Sequence, residues 1–136
     1  MQYLVDPRLV VDVLDADPEW GERSARLFDR YRKAELFLTP VAYLSLAPAF
    51  LGRRTIQDEF LKCLGIAVLG PLSVEAFSSA YRAWCRYQAN NPTEPGLGSD
   101  CASLYLGATA LQCDGLLTRR GDFYRRYYPN LVIIEP

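Results

Sequence analysis

A chain of 136 residues is close to one typical domain, and dividing it leaves halves too small to bury separate cores, so a single domain over 1–136 is expected. Half of the residues are apolar and 23% are charged, ordinary globular usage that excludes disordered, collagen-like and disulfide-scaffold classes. A formal net charge of -1 supplies no protein-wide field toward nucleic acid, and the absence of histidine removes every His-based triad, His acid–base pair and HExxH zinc site.

Taken in chain order, Tyr3-Leu4-Val5 is a short apolar strand that stops at Asp6-Pro7, where proline suits only the first turn of a helix. Leu9, Val10, Val13 and Leu14 then recur at helical spacing. Asp17-Pro18-Glu19 reads as the start of a second helix running to about Ala34, with Trp20, Leu27, Phe28 and Tyr31 on its apolar face. Leu36-Phe37-Leu38 is a second strand, and Thr39-Pro40 caps a third helix that Pro48 must end or kink.

Thr55 is expected to cap a fourth helix with Ile56, Phe60, Cys63 and Leu64 on one face, closed by Gly65, and Ile66 to Leu69 is a third strand. Ser73 opens a long helix whose expected buried stripe is Val74, Phe77, Tyr81, Trp84 and Cys85. Asn90 to Gly98, rich in proline and glycine, reads as a loop. Ser99-Asp100 begins a helix to about Cys113, Leu116-Leu117-Thr118 is a fourth strand and Leu131 to Ile134 a fifth. Five short apolar strands separated by helical segments predict a parallel sheet covered on both faces, a three-layer α/β/α domain.

Cys63, Cys85, Cys101 and Cys113 contain no CxxC pair, and the reading is that they are reduced core residues on helices. The chain opens on a strand without a basic leader, and no apolar run approaches membrane-spanning length. A cytoplasmic protein without a membrane segment is expected.

In an open parallel sheet, working polar groups gather beyond the carboxyl ends of strands, where chain direction switches. Asp6 closes the first strand, Asp100 begins a helix after the long loop, and Thr118-Arg119-Arg120-Gly121-Asp122 follows the fourth strand. Three carboxylates brought together repel unless a cation sits among them, and an all-oxygen set suits Mg²⁺ or Mn²⁺ rather than zinc.

At these residues the chain resembles the PIN-domain nucleases, and within them the VapC-type toxins of toxin–antitoxin pairs. The resemblance is carried by Tyr3-Leu4-Val5-Asp6, by Leu38-Thr39-Pro40-Val41, by Asp100 with Leu104-Tyr105-Leu106-Gly107-Ala108-Thr109-Ala110-Leu111, and by Leu116-Leu117-Thr118-Arg119-Arg120-Gly121-Asp122-Phe123 with Tyr128-Pro129-Asn130-Leu131. The last two blocks are similar to the family's TRDxDF and FPxL segments. The resemblance implies a PIN-like fold and a Mg²⁺- or Mn²⁺-dependent endoribonuclease, in which metal-activated water hydrolyses RNA phosphodiesters. Carried over by position, Asp6, Asp100 and Asp122 hold the metal, Thr118 orients a carboxylate or water, and Arg8, Arg119, Arg120 and Arg125 grip RNA. It further implies a small antitoxin partner and a homodimer.

The chain departs from the family's pattern at three places. Ser45 stands where the helical glutamate falls, Arg120 where the first aspartate of TRDxDF falls, and Pro7-Arg8 where a Thr-Asn pair follows the first acid. Two readings therefore stand together: a nuclease with weakened or lost activity, and a catalytically silent PIN-like module that binds RNA or protein. Plainer roles accompany each residue. Asp6, Asp100 and Asp122 are also fit to cap helices. Residues 119–126 carry four arginines and one aspartate, and the aromatic and basic run Phe123 to Tyr128 suits either base stacking or ordinary packing on the sheet.

Overall fold

The structure, a computed structural model, describes residues 1–70, 73–91 and 99–136. The five expected apolar runs form strands β1 (Gln2–Val5), β2 (Glu35–Leu38), β3 (Ile66–Val68), β4 (Gly115–Leu117) and β5 (Ile133–Ile134). They make one sheet in the order β3-β2-β1-β4-β5, and every neighbouring pair is parallel. Among the described residues the helices are α1 (Pro7–Leu14), α2 (Gly21–Arg30), α3 (Pro40–Ser45), α4 (Arg54–Leu64), α5 (Val74–Asn90), α6 (Ser99–Ala110) and α7 (Gly121–Tyr127), with a short 3₁₀ turn at Ala47–Phe50.

Alternation along β1 divides the core between the two faces of the sheet. Tyr3 and Val5 pack with Leu36, Leu38 and Leu117 against Leu9 and Val10 of α1, Leu27 and Phe28 of α2 and Leu61 of α4. Leu4 and Leu116 point the other way, onto α5, α6 and α7. Both faces are covered, which is why the strands read as nearly continuous apolar runs. Thr39 caps α3 by accepting a bond from the Ala42 amide at 3.1 Å, and Gly65 ends α4 in the left-handed region at φ 75°.

Several local expectations are corrected. The second helix spans only Gly21–Arg30, because the Asp17 carboxylate accepts from the Glu19 and Trp20 amides and holds a separate turn before it. Thr55 lies inside α4 rather than at its cap, and the helix buries Gln57 and Leu61 while Ile56 and Cys63 are exposed. Gln57 donates to the Tyr43 carbonyl at 2.9 Å, which fixes that rotation. α6 ends at Ala110, short of Cys113.

The largest correction concerns α5. Its buried stripe is Ala76, Ala80, Ala83 and Tyr87, whereas Val74, Phe77, Tyr81 and Cys85 are exposed. Alanines let α6 approach α5 closely, and bulky residues on that line would hold the helices apart. The cysteines follow the same lesson: Cys63 and Cys85 are exposed, Cys101 and Cys113 half-buried, and none belongs to the buried core. Most of the expected Asn90–Gly98 loop lies outside the described residues. Among the described residues no helix is long and apolar enough to cross a membrane.

Candidate functional site

The sheet order places β2 on one side of β1 and β4 on the other, so chain direction switches between β1 and β4 at their carboxyl ends. The Asp6 amide bonds the Leu117 carbonyl at 2.8 Å, which draws Asp6 and Thr118 together across that switch. Thr118 Oγ1 donates to Asp6 Oδ2 at 2.7 Å and accepts from the Arg120 amide at 3.0 Å. Asp6 Oδ1 accepts from the Arg8 amide at 3.0 Å and caps α1. Both side chains are almost fully buried. One expected pairing therefore forms, and Asp6 serves the helix cap at the same time.

Asp100 is held by different partners. Its Oδ1 lies 3.1 Å from Arg120 Nη2, and its Oδ2 accepts from the Tyr87 hydroxyl at 2.8 Å. Arg120 is itself set over the Phe123 ring at 4.3 Å and reaches toward Ser103 Oγ at 3.5 Å. Asp122 stands apart, on the first turn of α7 with its side chain fully in solvent, 3.5 Å from Arg125. Arg125 also pairs with Glu135 at 3.3 Å.

A fourth carboxylate, Asp12, completes this edge. It is buried on α1; Arg119 Nε lies 2.8 Å from its Oδ2, out of line for a hydrogen bond, and Arg119 Nη2 donates to its Oδ1 at 3.4 Å. Burial pushes the Asp12 carboxyl above its ordinary value, and Arg119 opposes that shift. Arg119 is clasped further by the Trp20 ring at 5.3 Å, whose other neighbour is Arg23 at 4.3 Å. Sequence reading passed over Asp12, although an acid beside the Leu9, Val10 and Val13 stripe was a visible signal of a buried charge. Tyr87 offered no such signal, since its role depends on α5 meeting α6.

Whether these groups fit a divalent ion follows from the donor set. Among the described residues no three carboxylate or thiolate groups converge where a metal ion would be held. Asp12 and Asp100 each face a guanidinium, and a guanidinium roughly 5 Å from a divalent ion costs about 7 kcal/mol at an effective dielectric near 20. Ser45 offers a hydroxyl, already bonded to the Ala42 carbonyl at 2.6 Å, in place of a carboxylate. The residues present do not fit a Mg²⁺ or Mn²⁺ centre.

The arginines expected to grip RNA divide. Arg119, Arg120 and Arg125 are engaged in ion pairs within the chain, while Arg8 is exposed and in none of the ion pairs among the described residues. Of the aromatic run, Tyr124, Tyr127 and Tyr128 are buried against the sheet rather than offered as a stacking platform. Burial raises the Tyr124 phenol well above its ordinary value, with Asp6 adding to the shift and Ser103, Arg120 and Arg8 opposing it.

No family model matches the sequence, and no curated protein matches it. Solved structures do. The chain is similar to one in VapBC2 from Rickettsia felis bound to a DNA fragment from their promoter, at 12% identity and a TM-score of 0.66, covering 99% of this chain and 98% of that one. It is similar at 14% identity and a TM-score of 0.67 to a chain of VapBC-1 from nontypeable Haemophilus influenzae, with coverage of 99% and 98%. A chain of FitAB bound to an IR36 DNA fragment matches at 14% identity and a TM-score of 0.62, with coverage of 98% and 94%. With its five-stranded parallel sheet between two layers of helices, the chain has the α/β fold of VapC-type PIN domains.

Proposed function

We propose that this chain is a VapC-type PIN-fold protein that acts by binding a small partner protein and has lost metal-dependent RNA hydrolysis. The observation that carries the reading is the Arg120–Asp100 pair at 3.1 Å, seconded by Arg119 on Asp12. Each arginine supplies, from within the chain, the positive charge that a divalent ion would bring to a cluster of acids. A partner protein of the antitoxin kind is supported by the company of the similar chains, which are found in VapBC and FitAB complexes.

The test is direct. Millimolar Mg²⁺ or Mn²⁺ is expected to leave Tm within about 1 °C, since an ion without a site adds no mass-action stabilisation. Single-stranded RNA incubated with the chain and Mn²⁺ is expected to remain uncut. A second reading, a working metal-dependent endoribonuclease, is favoured by the Asp6–Thr118 pair kept at the switch point. Cleavage that needs the divalent ion and stops on Asp6→Asn or Asp100→Asn would establish it and remove the first.

Self-association belongs to the same proposal. Val74, Phe77 and Tyr81 form an exposed apolar stripe on α5, and we assign it to a homodimer contact. Phe77→Glu is expected to shift the sedimentation coefficient from dimer to monomer without lowering helicity, and an unchanged coefficient would rule the contact out.

A further inference from the structure

Between α1, α3 and α6, just outside the switch point, lies a cavity of about 260 Å³. Pro7, Val11, Ala42, Leu46 and Leu106 supply apolar walls. Its two acids are engaged by the protein itself: the oxygens of Asp6 accept from the Thr118 hydroxyl and the Arg8 amide, and Asp12 faces Arg119. Both are at most 5% exposed. Arg8 differs: it lines the same cavity, is exposed, and is in none of the ion pairs among the described residues. Among the described residues the cavity thus carries an exposed arginine without an ion-pair partner beside apolar walls, while its carboxylates are buried and engaged.

We propose that this cavity is a binding site for a small amphipathic monoanion, its apolar body among Val11, Leu46 and Leu106 and its carboxylate on Arg8. The volume lies below the usual range of about 300–1,000 Å³ for drug-sized ligands, so the body is one ring or a short branched chain. Burying that body supplies most of the affinity, and the Arg8 guanidinium, which pairs with a carboxylate in a planar fork, supplies the choice of charge. A cationic head would sit beside Arg8 with the buried carboxylates already taken. A neutral head would gain the hollow and forgo the ion pair. The proposal rests on the reading that no divalent ion occupies this edge.

Thermal unfolding of the full chain with 3-phenylpropionate, 3-phenylpropanol or 3-phenylpropylamine tests it. At about ten times its Kd the carboxylate is expected to raise Tm by about 5 °C, by mass action on the native state. It is expected to bind at least about three-fold more tightly than the alcohol, and the amine more weakly than either, as expected for one charge-assisted contact at a partly wet site. Arg8→Gln should bring the carboxylate down to the alcohol's affinity, while Ala102→Leu, which narrows the cavity from α6, should weaken all three. Equal or better binding of the amine, no loss on Arg8→Gln, or no binding of the carboxylate to a chain that also ignores Mg²⁺ would overturn the proposal. If instead Mg²⁺ raises Tm, displaces the carboxylate and loses both effects on Asp6→Asn, the metal-free reading falls and the proposal falls with it.

Discussion

Arg119→Met is expected to lower stability by about 3 kcal/mol at pH 7 in chemical denaturation, toward the low end of the range for breaking a buried ion pair. Asp12 has little access to water, and Arg119 is its only ion-pair partner among the described residues, so the substitution leaves a carboxylate enclosed without a counter-charge. Arg119 is itself partly exposed, which keeps the loss at that lower end. Methionine keeps a similar side-chain length while removing the guanidinium from both Asp12 and the Trp20 ring, so the loss reports mainly charge.

The effect has a defined pH dependence. Burial already raises the Asp12 carboxyl above 3.8, the ordinary value that it recovers on unfolding. A raised folded value means that its contribution is fully present below pH 3.8 and is lost as pH climbs through the folded value. Removing Arg119 lifts the folded value further and widens that window, so the variant loses less at pH 4 than at pH 7. Asp12→Asn in the Arg119→Met background is expected to restore at least half of the deficit by removing the uncompensated charge. A deficit below about 0.5 kcal/mol that does not change with pH would mean that water reaches Asp12 freely.

Gly107→Ala in α6 is expected to destabilise by about 1–3 kcal/mol, as overpacking of a tight core does, although alanine gains about 1 kcal/mol over glycine in helix preference. An added Cβ would stand 2.6 and 2.7 Å from two carbons of the Tyr128 ring and 3.0 Å from Tyr124. Neither ring is free to move away: both are buried, and the Tyr128 hydroxyl donates to the Leu104 carbonyl at 2.6 Å. Tyr128→Leu combined with Gly107→Ala should lose less than the sum of the two single changes, because the smaller side chain removes the clash. A neutral Gly107→Ala in urea unfolding would show that α6 and the end of α7 can separate without penalty.

Strand and helix order was readable in the chain because local chemistry sets it. Apolar runs of three or four residues ended by Asp6-Pro7 and Thr39-Pro40 leave little choice but strand followed by capped helix, and a series of such units dictates a parallel sheet with both faces covered. The same logic placed Asp6 and Thr118 at strand ends on one edge of the sheet, since each follows directly on its strand, while the pairing of β1 with β4 that makes them neighbours belongs to the tertiary structure. Rotation of a helix about its own axis is another matter. The alanine line and the Val74, Phe77 and Tyr81 line are both regular faces of α5, and only the nearness of α6 selects the smaller one.

The acidic edge divides along the same boundary. Composition and order determined that carboxylates would follow the strands and that no histidine was present, and the resemblance to PIN-domain nucleases implied that Ser45 and Arg120 stand where two further acids fall. Tertiary structure alone decided what each charge meets: Asp100 between Tyr87 and Arg120, Asp12 against Arg119, Asp122 in solvent. Coulomb energies fall with distance and rise with burial, and neither quantity is set until segments as far apart in the chain as Asp12 and Arg119 are packed together.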